Sequence, residues 1–120
     1  MNRQEAFDKA YKGIVAQGRG SSNDWQCLYR GDGGTKCAVG QLLSDEQITR
    51  YGIRNSQGVS ELAPELLDEL LPCDSKAGVF LSELQDAHDQ ATWCAVPNFI
   101  EAFKLRAADV AKKYELTVPE

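Results

Sequence analysis

The sequence predicts a mainly α (α+β) fold: a single small helical domain over residues 1–120, with about five helices and one short β-hairpin. Three observations predict it. Apolar residues recur at three- and four-residue spacing in several windows. Helix start signals (Asn2 with Glu5, Ser44 with Gln47) and stop signals (Gly18, Gly52, Pro72) frame those windows. Two short runs flank the tetrad Gly31-Asp-Gly-Gly34, as the arms of a hairpin flank its turn. With 120 residues, 42% of them hydrophobic, the chain can bury one core without disulfide or metal staples.

The first helix has Asn2 as its cap and Glu5 as the return half of a capping box. Ala6, Phe7, Ala10, Tyr11, Ile14 and Val15 form one apolar stripe, and Gly18 ends it. Arg19 to Asp24 is a loop by composition. In the expected hairpin, Trp25, Cys27 and Tyr29 share one face of the first strand, and Thr35, Cys37 and Val39 one face of the second. A three-residue loop puts both faces on the same side, and in one such register Cys27 sits across from Cys37. A competing pattern overlaps the second strand: Ala38, Val39, Leu42 and Leu43 fit one side of a helical turn around Gly40, so the strand is expected to end near Cys37. Ser44 then opens a short helix that Gly52 closes. Pro64 suits the first turn of a helix running to Leu71, where Pro72 stops it. Asp74 or Ser75 caps the next helix, with Phe80, Leu81, Leu84, Ala87 and Ala91 as its buried stripe. The last helix is expected from Pro97, with Phe99, Phe103, Ala107, Val110 and Tyr114 inward.

Charge is divided unevenly along the chain. The formal net charge of −5 argues against nucleic acid as the main partner. Residues 1–60 carry eight Lys/Arg and six Asp/Glu, whereas residues 61–120 carry five and twelve. Between Glu61 and Asp89 eight acids face the single Lys76. Such a face keeps a protein in solution; it is also a docking surface for a basic partner. Met1 to Ala10 alternates polar and charged residues, so neither an export signal nor a membrane span is expected, and a cytoplasmic location with reduced thiols follows.

Four places could carry chemistry. His88 is the single histidine, placed on or beside the apolar stripe of its helix; the plain reading is a packed, hydrogen-bonded residue at the core edge. Asp89 follows it but lies about 100° around the helix, a poor position from which to orient the ring. A Cys–His pair drawn from Cys27, Cys37 or Cys94 would support acyl or thiol chemistry if a thiolate were stabilised. Structural zinc draws its ligands in closely spaced pairs, and the nine residues between Cys27 and Cys37 match that weakly, so no metal or other cofactor is expected. The tetrad Gly31–Gly34 does not match a phosphate-binding loop. Arg30 and Lys36 flank it beside Trp25 and Tyr29, however, and together they could hold a small anionic ligand such as a nucleotide.

The block Cys27-Leu-Tyr-Arg-Gly-Asp-Gly-Gly-Thr-Lys-Cys-Ala-Val-Gly40, with Leu42-Leu43-Ser-Asp-Glu46 after it, resembles a block of an uncharacterised family of small tailed-bacteriophage and prophage proteins. A second block, Phe80-Leu-Ser-Glu-Leu-Gln-Asp-Ala-His-Asp89 with Trp93 shortly after, is similar to that family's second block. The family's usual proline after the Leu-Leu pair is Ser44 here. The resemblance implies an accessory protein of a phage in its bacterial host, acting by binding a host or defence protein rather than as an enzyme. On this reading Trp25, Tyr29, Arg30, Lys36, His88 and Asp89 form the binding surface, with Arg30, Lys36 and His88 on one side of the domain. The alternatives are sequestration of a nucleotide signal, or a small Cys/His-dependent hydrolase.

Overall fold

The computed structural model describes residues 1–22, 27–93 and 98–119. Trp25, Cys94 and Pro97, which the sequence reading invokes, lie outside the described residues. Five α-helices follow one another: α1 (Arg3–Gln17), α2 (Asp45–Tyr51), α3 (Pro64–Leu70), α4 (Ala77–Trp93) and α5 (Phe99–Lys113). Single 3-10 turns sit at Asp32–Gly34 and Val59–Glu61.

The local signals act as their chemistry dictates. Asn2 and Glu5 close a reciprocal capping box on α1, and Gly18 takes the left-handed conformation at its end. Ser44 and Gln47 repeat the capping box on α2, which stops at a left-handed Gly52. Asn98 caps α5 through its side chain, accepting from the Glu101 amide.

Helix α4 is the axis of the domain. Phe80, Leu81, Leu84, Ala87 and Ala91 are buried along it, and α5 packs on it lengthwise. Aromatic contacts tie the third long helix in. Tyr11 of α1 meets Phe103 of α5 with ring centres 5.9 Å apart, and Phe80 meets Tyr114 edge-on at 5.0 Å. At one end, the Arg3 guanidinium grips both oxygens of Asp74 at 2.6 and 2.8 Å, fixing the start of α1 to the turn before α4.

The expected β-hairpin does not form; among the described residues there is one isolated bridge, Ser22 with Cys27, and no sheet. Side chains take the backbone groups that a strand partner would need. The Gln17 amide clamps Lys36, accepting from its N–H at 2.8 Å and donating to its carbonyl at 3.0 Å. The Asn55 amide does the same to Arg30, at 3.1 and 3.2 Å. Between them the chain turns tightly, with the Gly31 amide donating to the Thr35 carbonyl at 2.8 Å. The hairpin register that would face Cys27 with Cys37 falls with it, and among the described residues one backbone bond joins the arms, from the Cys37 amide to the Leu28 carbonyl. The competing pattern wins beyond Cys37. Residues 37–43 wind as a helical turn that buries Ala38, Val39, Leu42 and Leu43. Gly40 is required there by contact: a Cβ at that position would stand 2.6 Å from the Tyr29 carbonyl oxygen.

Candidate functional site

Four polar side chains are buried among the described residues: Ser21, Thr35, Gln85 and His88. All belong to one hydrogen-bonded chain. Thr35 Oγ1 donates to Ser21 Oγ at 3.2 Å. The Ser21 backbone amide donates to His88 Nε2 at 3.0 Å, and His88 Nδ1 meets Asp89 Oδ1 at 3.0 Å. Gln85 donates to the same Asp89 oxygen at 2.7 Å and accepts from the Val39 amide at 3.0 Å. The chain thus stitches the segment around Ser21, the turn around Val39 and helix α4 into one unit. Buried polar groups demand such partners, and here each has them.

The network fixes the histidine tautomer. A backbone N–H can only donate, so Nε2 accepts, and the ring proton sits on Nδ1, facing the carboxylate. The expectation that Asp89 is a poor partner for His88 is therefore corrected. Nδ1 and Oδ1 each lie two bonds beyond their Cβ atoms, enough to span the offset between neighbours on a helix. The ring itself is wholly buried, edge-on to Phe99 with centroids 5.6 Å apart.

Cys27 approaches this group from outside. One ligand atom from each of Cys27, His88 and Asp89 lies within 4.8 Å of the others, the one such cluster among the described residues. The donor set does not fit a metal ion. The Nε2 lone pair is taken by Ser21 and Nδ1 carries a proton, so the imidazole has no free lone pair to offer. The thiol is equally restrained. Burial pushes the Cys27 thiol well above its ordinary range, and the nearby Asp89 carboxylate adds to the shift. Burial likewise pushes Cys37 up to about 12. Both are free thiols.

In front of Cys27 and Asp89 opens a cleft of about 340 Å³, walled by α4, the 55–60 segment and the 27–37 segment. Among the described residues two carboxylates, Asp86 and Asp89, border it, and no Lys, Arg or His lines it. Burial, and to a lesser degree the neighbouring charges of Asp89 and Glu83, raise the Asp86 carboxyl above its usual range. Tyr29 is 5% exposed and lines the same cleft. Burial pushes its phenol up strongly, with Cys37, Asp89 and Glu61 adding in the same direction.

Of the residues singled out in the sequence, Tyr29 and Asp89 thus meet at the cleft, with His88 holding Asp89 from behind. Arg30 serves elsewhere. Its guanidinium donates to the carbonyls of Tyr29, Gly40 and Leu43 at 3.0, 2.8 and 2.7 Å, and pairs with Asp45 at 3.1 Å. Lys36 is half-buried, its backbone clamped by Gln17 and neither it nor Arg30 borders the cleft. The Gly31–Gly34 loop bonds its flanking amides within its own turn. Ser21 and Gln85 were not singled out from the sequence. Gln85 could have been: four residues before Asp89, it stands one helical turn away on the same face. Ser21 carries no such signal, because it reaches His88 through its backbone amide.

Comparisons of the chain with protein-family models, with curated proteins and with solved structures give no match. Among the described residues no helix is long and apolar enough to cross a membrane.

Proposed function

We propose that this chain is a binding protein that modulates a bacterial host or defence factor by protein–protein interaction, in the manner of the phage accessory proteins it resembles. One observation carries the choice of binding over catalysis: the Cys27–His88–Asp89 group is built for rest. A thiol enzyme needs a thiolate, or a base with a free lone pair beside the thiol. Here the His88 lone pair accepts from Ser21, the ring has no solvent contact, and Asp89 opposes ionisation of Cys27. The group instead supports a rigid acidic cleft on the most acidic part of the chain, which suits recognition of a basic partner. Free thiols at Cys27, Cys37 and Cys73 accord with a reducing bacterial cytoplasm.

The hydrolase alternative has one observation in its favour, the mutual approach of Cys27, His88 and Asp89. Sequestration of a nucleotide signal has less, since Arg30 is fully engaged and the cleft offers no cation to a phosphate. Two measurements decide. Alkylation of Cys27 by iodoacetamide at pH 7.5 should be slower in the folded protein than in the denatured chain; a faster reaction that persists to pH 6 marks a thiolate and sinks the binding-only reading. Affinity capture from bacterial lysate, with mass spectrometry of proteins and small molecules, should return one stoichiometric protein; recovery of a nucleotide alone would favour sequestration.

A further inference from the structure

The cleft between α4 and the 55–60 segment has a chemistry of its own. Tyr29 is 95% buried by its 5% exposure, yet its hydroxyl has no hydrogen-bond partner among the described residues. Among the described residues no side-chain oxygen sealed from solvent lacks a partner, so this hydroxyl is open to solvent, and the cleft is the cavity that Tyr29 lines. A buried phenol with its polar tip left open to a cavity is a group awaiting a partner. Asp86 stands three residues before Asp89, on the same side of α4, and forms no ion pair among the described residues; Asp89 and Glu83, both negative, act on its charge, and Arg106 shares a separate groove with it on the α5 side. Ser56, Ser60 and Ser82 add hydroxyls to the wall. The described lining is rich in acceptors, carries negative charge, and contains no cation.

We propose that this cleft is the seat of an arginine side chain presented by the partner, its guanidinium lying between Asp86, Asp89 and the Tyr29 hydroxyl. This deepens the binding reading above and rests on it. Charge selects a cation, and two carboxylates with a phenol oxygen select a donor-rich, planar one. A guanidinium offers five N–H donors in a fixed fork, whereas an ammonium is a compact point charge that holds its water more strongly. Size agrees: about 340 Å³ is at the small end of ligand cavities, suited to one long side chain rather than to a nucleotide. The source is taken to be a protein because the cleft opens on the acidic stretch between Glu61 and Asp89, which would attract the basic residues around such an arginine.

The probe is the peptide acetyl-Gly-Gly-Arg-Gly-Gly-amide, followed by amide NMR shifts of the ¹⁵N-labelled protein. Its neutral citrulline counterpart and free agmatine serve as comparisons. The arginine peptide should shift residues 56–60 and 85–89 saturably, and the citrulline peptide should not. Asp86→Asn should weaken binding about tenfold and Tyr29→Phe about three- to fivefold, with melting temperatures near the parent's. Glu115→Gln, which removes an equal charge from an exposed site on a different groove, should change nothing. The proposal fails if the arginine peptide gives no saturable shift, or if Asp86→Asn and Glu115→Gln weaken it alike. Tighter binding of agmatine than of the peptide also overturns it, since the ligand would then be a free small cation. A captured partner that binds Asp86→Asn undiminished removes the cleft assignment and leaves the binding reading standing. Arginine binding in the cleft with no captured partner does the reverse.

Discussion

The two sides of this domain are held together by different forces. On one side α1, α4 and α5 meet through aromatic rings and buried aliphatic side chains: Phe7, Tyr11, Ile14, Phe80, Leu84 and Phe103. On the other, the described residues between 18 and 61 form α2, whose seven residues include no buried side chain, two 3-10 turns, and the 37–43 turn that buries Ala38, Val39, Leu42 and Leu43. There the backbone is pinned by individual polar side chains: Gln17 on Lys36, Asn55 and Arg30 on the loop around Tyr29, and Gln85 on Val39. Non-directional burial tolerates a small misfit, because its energy scales with area. A side chain that replaces a strand partner does not, since its loss leaves a main-chain group unpaired. The candidate site stands at the seam of the two, where α4 is tied to the second side by directed bonds to Ser21 and Val39.

The largest effect should come from the apolar side. Phe103 is wholly buried and touches Tyr11 and Phe99, so Phe103→Ala should lower stability by about 3–5 kcal/mol in a denaturant titration. An unchanged midpoint would mean that α5 is not part of the core.

On the polar side Arg30 is the counterpart of Phe103. Its side chain satisfies three carbonyls that no strand partner serves, and Arg30→Ala should cost about 2–3 kcal/mol. Arg30→Lys should recover less than half of this, because an ammonium cannot reach Tyr29, Gly40 and Leu43 together. If Arg30→Ala melts like the parent while a captured partner is lost, Arg30 belongs to the binding surface and the contrast between the two sides weakens.

This contrast also decides what the sequence made legible. Periodicity reports burial along a helix, so α1, α4 and α5 could be read from their apolar stripes, α3 from the prolines that frame it, and α1 and α2 from their capping boxes. The segment from Cys27 to Val39 could not be read this way. Its alternating residues suit a hairpin, but Gln17 and Asn55 lie outside any window that local pattern compares, and their amides occupy the ladder positions. At the site, Tyr29, His88 and Asp89 were identifiable by residue type. Their relation was not, because it depends on the Ser21 backbone amide, which every residue but proline possesses. Arg30 and Lys36 looked functional as a flanking pair of cations around a glycine loop. For Arg30 the structure supplies a structural employment that composition cannot reveal.

The buried thiols offer a test of the polar side by pH. Burial raises Cys37 to about 12 from an ordinary value of 9.0. The thiol is therefore neutral in the folded protein where it would already ionise in the unfolded chain. The associated stability is fully present below pH 9 and declines as the pH rises towards 12, because only the unfolded state gains by releasing the proton. Cys27 and Tyr29, both raised, act in the same direction. Unfolding measured between pH 8 and 11 should show Cys37→Ala losing less stability than the parent, by about 1.4 kcal/mol for each pH unit above 9. Parallel curves for the two proteins would place Cys37 in contact with water.

The smallest effect compares the same device on both sides. Asn2 and Ser44 close identical capping boxes, and replacing either by alanine should cost about 1 kcal/mol. The consequences should differ in extent. Helix α1 has fifteen residues, with Ala6, Phe7, Ala10, Tyr11 and Ile14 buried against the core, so its later turns do not depend on the cap. Asn2→Ala should therefore lower the global stability slightly and speed hydrogen exchange only in the first turn. Helix α2 has seven residues and buries none, and a helix that short does not persist on its own hydrogen bonds. Its amides at Ile48 and Gly52 bond to Ser44 and to the last carbonyls of the helix, so losing the cap should open the whole element. Ser44→Ala should accelerate exchange at both amides together while the melting temperature falls by no more than a few degrees. Exchange confined to the first turn in Ser44→Ala, as in Asn2→Ala, would show that α2 is held by packing after all. The polar side would then be more like the apolar one than its bonds imply.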